Sequence, residues 1–225
     1  VPEFTGRNKT LNAAALDGKG RFWVVGRNGA AFRKDPGKTW RMIQLPGPAD
    51  YNTVCFDKSG LGYIAGDNGM IMQTRDSGEN WQVIPSPTTV DIHLIMFVDV
   101  ERGYLAGEDG LIMETTNGGD SWLRHYTGTQ DTFLDGHFIS SGRAVVLGSN
   151  TVLESWSNGH NSSWHEIHLD TPFAAVAPGA RYAALHNGEI LDRSTGVTKI
   201  LNSDPIQGFC RNSRGNRITG VGRYG

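Results

Sequence analysis

Five aspartates recur along this chain of 225 residues at nearly constant intervals: Asp50, Asp91, Asp131, Asp170 and Asp204, at steps of 41, 40, 39 and 34. Carboxylates spaced in this way can do one of two things. Gathered around one opening, they set up a negative field that draws in a basic peptide or a cation. Left in separate turns, each accepts hydrogen bonds from nearby backbone N–H groups and caps its own loop. Tyr51, Tyr126, Phe133 and Phe173 stand close to these aspartates in sequence and would suit a peptide or a sugar. Asp50, Asp91, Asp131, Asp170 and Asp204, with Tyr51 and Phe133, are therefore the candidate partner-binding residues.

Other chemistry has less support. Glycoside hydrolysis needs two placed carboxylates, and the 23 acidic residues do not by themselves single out a pair. His165 and His168, in WHEIHLD, are three apart on an expected strand, so they point to opposite faces and cannot share a metal. No G-x-S-x-G, P-loop or C-x-x-C occurs. The expectation is no catalytic residue, no metal and no cofactor. A net charge of -2 without a basic run gives no reason to bind nucleic acid, and the longest apolar stretch, near Ile92 to Val100, is too short to span a bilayer.

The elements that must position these residues are set by a repeat. Trp40, Trp81, Trp122 and Trp164 are 41, 41 and 42 residues apart. Gly26, Gly66, Gly107 and Gly148 end short apolar runs (FWVVG, GYIAG, GYLAG, AVVLG), with Leu16, Phe56, Phe97 and Phe138 about ten residues earlier. RNG, DNG, EDG and HNG follow at 27, 67, 108 and 186, and such pairs are strong hairpin signals because both turn residues need positive φ. Thirty glycines and the absence of a long amphipathic pattern agree with short strands and tight turns.

A period near 41 carrying only strand and turn signals predicts an all-β propeller of four-stranded blades. The repeats lie near 11–51, 52–91, 92–132, 133–171 and 172–206, in a single domain over 1–225. Residues 207–225 with 1–10 would form a closing blade in which VPEF supplies the outer strand. Six blades are favoured, and a seven-bladed ring cut short is the alternative. Cys55 and Cys210 fall in blades that are not adjacent, so no disulfide is expected. The chain opens at Val1 without Met or a signal-like segment, as a processed or trimmed chain would.

Before each of the first three tryptophans stands one octapeptide: RKDPGKTW at 33–40, TRDSGENW at 74–81 and TTNGGDSW at 115–122. It resembles the Asp-box of bacterial neuraminidase repeats. With the surrounding F-x-D and G-Y-x-A-G-x-x-G, the pattern is more specifically similar to the photosystem II stability/assembly factor family. Residues 52–84 and 93–125 match best; the first unit has Pro36 inside its box, the fourth an expanded box (SWSNGHNSSW), and the fifth none.

In sialidases these boxes lie away from the active site, so the resemblance implies a structural role for Asp35, Gly37, Trp40, Asp76, Gly78, Trp81, Asn117, Gly119, Trp122 and Trp164. The Asp or Asn would cap the hairpin between strands C and D, and the Trp would pack between neighbouring sheets. The F/Y-R-I-P segment of sialidases is missing.

Family members in photosynthetic organisms assist assembly of the photosystem II reaction centre and bind a newly made subunit. The resemblance thus implies a non-enzymatic assembly factor or scaffold for a protein complex, one that can be membrane-bound. It also implies an exported location: periplasm, thylakoid lumen or the extracellular space. The expected partner is a protein, such as a basic segment of a membrane-complex subunit, without insertion of the chain into the membrane. The alternative is a glycan-binding or glycan-cleaving propeller.

Overall fold

Turn chemistry decides where this chain reverses. In the computed structural model, Asn28, Asn68 and Asp109 take φ of 54, 56 and 54°, and the glycines after them 67, 71 and 63°. Both central residues are left-handed, as the Asn-Gly and Asp-Gly pairs require. The structure describes residues 10–47, 49–140, 143–148, 151–157, 162–167, 173–176, 182–185, 189–192, 197–200, 206–211 and 218–222.

These residues form antiparallel sheets whose strands pair in chain order. Blade one holds β1 (Leu11–Leu16), β2 (Phe22–Gly26), β3 (Ala30–Lys34) and β4 (Trp40–Met42). Blade two holds β5 (Tyr51–Phe56), β6 (Gly62–Gly66), β7 (Ile71–Thr74) and β8 (Gln82–Val83). Blade three holds β9 (Ile92–Phe97), β10 (Gly103–Gly107), β11 (Ile112–Thr115) and β12 (Leu123–Arg124). Blade four runs through β13 (Phe133–Ser140), β14 (Arg143–Gly148), β15 (Val152–Ser157) and β16 (Ser162–Ile167). Blade five runs through β17 (Phe173–Val176), β18 (Tyr182–Leu185), β19 (Glu189–Asp192) and β20 (Val197–Ile200), and β21 (Ile206–Arg211) pairs with β22 (Ile218–Gly222). The VPEF strand expected to complete a closing blade lies outside the described residues, as does His168.

Contacts divide the chain into two compact units, Val1–Glu108 with Ile112–Arg124, and Asp109–Leu111 with His125–Gly225. The first contains blades one to three. Its core lies between blades one and two, where Trp23, Val25, Ala31, Leu45, Tyr51, Val54, Ile64 and Met72 are buried together. Strands β6 and β10 are buried along their whole length. Burial on both faces of a sheet is why they read as continuous apolar runs and not as alternations.

The first strand of every sheet carries a bulge after its first residue. Leu11 faces Gly26 and Ala13 faces Val25, which leaves Asn12 unpaired, and Tyr51–Gly66 followed by Thr53–Ala65 leaves Asn52 unpaired. His93, Leu134, Ala174 and Gln207 occupy the same place in the later sheets. A bulge re-aims its extra side chain. In blades one and two it points at the next blade: Asn12 Nδ2 donates to the Tyr51 carbonyl at 2.9 Å, and Asn52 Nδ2 donates to the Ile92 carbonyl at 3.2 Å.

Candidate functional site

The predicted site residues separate into two joints between blades, on opposite ends of the strands. At one end, the connections leaving blades one to three fold over the β-turn of the blade they leave. Asp50 Oδ1 accepts from the Asn28 N–H of blade one at 2.6 Å, while its carbonyl accepts from the Asp67 N–H of blade two at 3.1 Å. Asp91 repeats this with Asn68 N–H (2.8 Å) and Glu108 N–H (3.0 Å).

Each aspartate thus fastens two turns in successive blades. The close approach needs glycine at the end of the second strand, since a Cβ at Gly66 or Gly107 would collide with the Asp50 or Asp91 carbonyl oxygen. Asp131 differs: its Oδ1 accepts from Thr132 N–H at 3.0 Å, its carbonyl from Gly110 N–H at 3.0 Å, and its carboxylate lies where a Cβ on Gly148 would stand. Asp170 and Asp204 lie outside the described residues.

Two of the aromatic candidates are not surface groups. Tyr51 is 1% exposed and its hydroxyl donates to the Gly47 carbonyl at 2.9 Å; Phe133 is 0% exposed. As first residues of β5 and β13, both face the terminal glycine of the next strand. Tyr126, by contrast, is 91% exposed. The side chain of Phe173 lies outside what is described.

At the other end of the strands sit the boxes. Asp76 Oδ1 accepts from the backbone N–H groups of Glu79 and Asn80 at 2.9 Å each and from the Thr74 hydroxyl at 2.7 Å; Asn80 Nδ2 donates to its second oxygen at 2.7 Å. These donors, Asn80 foremost, hold the Asp76 carboxyl down to about 2. Thr74 Oγ1 also accepts from Gly78 N–H at 2.8 Å. Box three uses the same wiring, with Asn117 accepting from Ser121 N–H at 2.9 Å and Thr115 Oγ1 from Gly119 N–H at 2.9 Å.

Box one departs from it. Its tryptophan comes 12 residues after Asn28, against 13 after Asn68, and Lys34 stands where the register puts Thr74. With the Thr hydroxyl missing, Asp35 turns to Arg33 Nε at 3.2 Å and to Arg41 at 3.8 Å.

Each complete box also docks on the blade before it. Gly78, at φ 80°, lies so close to Trp23 of blade one that a Cβ would strike the indole. Trp81 meets Trp23 edge-on at 5.7 Å and Phe56 at 5.7 Å. At the next junction Tyr63 stacks on Phe97 at 4.3 Å, and Phe97 meets Trp122 edge-on at 6.2 Å. Trp81 thus lies against Trp23 and Phe56, and Trp122 against Phe97. Trp40 is half-buried, and Trp164 contacts His125 at 6.4 Å.

Charge completes the first junction. Buried Arg21 of blade one donates to Glu79 and to the Ser77 carbonyl of box two, and to Asp17 Oδ2 at 2.7 Å. Trp23 Nε1 donates to the same Asp17 oxygen at 3.0 Å, and Arg33 reaches Glu79 at 3.1 Å with its guanidinium 5.5 Å above the Trp23 ring. Burial opposes ionisation of Asp17, but the bonds from Trp23 and Arg21 outweigh it and lower its pKa; Arg21 does the same for Glu79. Asp57 and Asp99 cap their turns, with Asp57 Oδ1 accepting from Ser59, Gly60 and Leu61 N–H at 2.8 to 3.0 Å and Asp99 from Glu101 and Arg102 N–H at 2.9 and 2.7 Å. Burial pushes the free Cys55 thiol up to about 12, which leaves it inert as a nucleophile. Among the described residues no group of three or more His, Cys, Asp or Glu is arranged to hold a metal.

Four-stranded blades fastened by Asp-boxes and aspartate clasps define a β-propeller of the Asp-box class. The family model described as photosynthesis system II assembly factor YCF48 matches residues 32–128 and 75–185, together more than half of the chain. The chain belongs to that family. Among solved structures, "YCF48 bound to D1 peptide" superposes with a TM-score of 0.76 at 20% identity, over 95% of this chain and 76% of that one. YCF48 from Cyanidioschyzon merolae gives 0.67 at 17%, over 92% and 77%. The RRP9 WD40 repeats give 0.72 at 12%, over 93% and 72%, a likeness of fold. No curated protein sequence matches.

Proposed function

We propose that this chain is a non-enzymatic protein-binding propeller that acts as an assembly or stability factor for a protein complex, one that can reside in a membrane. Membership of the YCF48 family carries this reading. A related propeller holds a peptide of another protein, D1, and the proposal extends that mode of action to a protein segment here. The charged groups at the first box junction support it, because Asp76 and Glu79 of the box and Asp17 of blade one are engaged in capping and in joining blades and are not gathered as a pair for acid–base work.

The proposal includes one propeller domain over 1–225 and a basic partner segment. Asp50 and Asp91 each have only Oδ1 engaged by a turn and form no ion pair among the described residues, so their charge adds to the field at that end of the strands.

Affinity capture by the folded chain from its native source, with bound protein and bound glycan both identified, tests this reading. It expects a protein bound at constant stoichiometry and released by salt. A retained oligosaccharide, or turnover of fluorogenic sialosides and aryl glycosides that survives further purification, would replace it with the carbohydrate alternative.

A further inference from the structure

The two complete box junctions of the first unit are built alike but filled differently. At the junction of blades one and two, Arg21 reaches across from the residue just before β2 and binds the Glu79 carboxylate and the Ser77 carbonyl of the next box, with Arg33 on the same carboxylate. The register gives the equivalents one junction on. Leu61 stands for Arg21, Gln73 for Arg33, Gly118 for Ser77 and Asp120 for Glu79.

At this junction a cleft of about 450 Å³ lies between blades two and three, bordered by Leu61, Arg75, Val100, Glu101, Gly118 and Asp120. Tyr63 hydroxyl has taken over the bond to the Gly118 carbonyl. Nothing has taken over Arg21's bond to the carboxylate: neither Asp120 nor Glu101 is in an ion pair among the described residues, and Arg75 turns its Nε to Gln73 Oε1 at 3.0 Å.

We propose that this cleft receives an arginine side chain of a protein partner, seated where the chain's own Arg21 sits one blade earlier. Asp120 would bind the guanidinium as Glu79 binds Arg21, Glu101 would add to the field, and Leu61 with half-exposed Val100 would cover the aliphatic stem. Two carboxylates against the single Arg75 leave the cleft acidic. The inference rests on the reading of the chain as a protein-binding propeller, and it places the contact at the box end of the strands, away from Asp50 and Asp91.

N-acetyl-arginine amide, titrated into the full chain and followed by amide chemical shifts, tests it. Saturable shifts are expected at Leu61, Gly118 and Asp120. The neutral citrulline analogue and the Asp120→Asn variant should each bind about tenfold more weakly, the effect of losing one charge-assisted contact. Leu61→Arg should abolish binding by restoring the internal arginine, with a melting temperature no lower than the parent's. Should Leu61→Arg fail to fold, Asp120→Asn still decides, because Asp120 is exposed.

Shifts confined to other residues, equal binding of the citrulline analogue, or unchanged affinity in Asp120→Asn would overturn the assignment. A captured protein whose binding ignores Asp120→Asn would remove the cleft and keep the protein-binding reading. An arginine probe that binds here while no protein is captured would do the reverse.

Discussion

Asp76 shows what a box aspartate does. It accepts from two backbone N–H groups, a hydroxyl and an amide within one turn. Asp76→Ala should cost about 1 to 2 kcal/mol, a lost cap with some donors left to water, as read by denaturant unfolding. Its titration has a definite sign. The folded carboxyl sits at about 2 against an ordinary 3.8, so its stabilisation is complete above pH 4 and is lost as the pH falls toward 2. The acid limb of stability should flatten in Asp76→Asn over that window; an unchanged limb would show that the cap does not titrate with folding. Arg21 works at a deeper level, since Arg21→Ala leaves Asp17 buried without its ion partner and should cost about 3 kcal/mol or more. A loss under 1 kcal/mol in urea would mean that water replaces the guanidinium.

At the scale of the element, the junction between blades is the working unit, and glycine controls it from two sides. Gly66→Ala and Gly107→Ala push a Cβ into the clasp carbonyls of Asp50 and Asp91, and each should destabilise by about 2 kcal/mol, the overpacking range. Trp81→Ala and Trp122→Ala empty the box end of the junction and should cost about 3 kcal/mol; a variant that melts like the parent would refute the packing role. Strands, turns and boxes were legible in the sequence because period, Asn-Gly pairs and tryptophans each report a local constraint. The bulges at Asn12, Asn52 and His93 were not, because nothing in one strand's alternation marks a residue that its partner skips. The aspartates were found by their period, but a period cannot say which way a side chain turns. Asp50 and Asp91 proved to be clasps on positive-φ turns, and Tyr51 and Phe133 are buried. The contrast between Arg21 and Leu61 was visible as letters. It acquired meaning only once the register aligned them.

For the whole molecule, repetition supplies the frame and departures from it supply individuality. One period of about 41 residues builds the first three blades. The first hairpin closes one residue sooner with Lys34 in place of the Thr hydroxyl, one junction is locked by arginines, and the next holds a cleft. Capture on the folded chain from its native source, at low and high salt, bears most directly on the claim that this propeller binds protein. The account predicts one protein retained at fixed stoichiometry at low salt, released as salt rises, and cross-linked to the chain through a segment rich in arginine or lysine. Retention of carbohydrate in its place, or cleavage of an aryl glycoside by the pure chain, would contradict it.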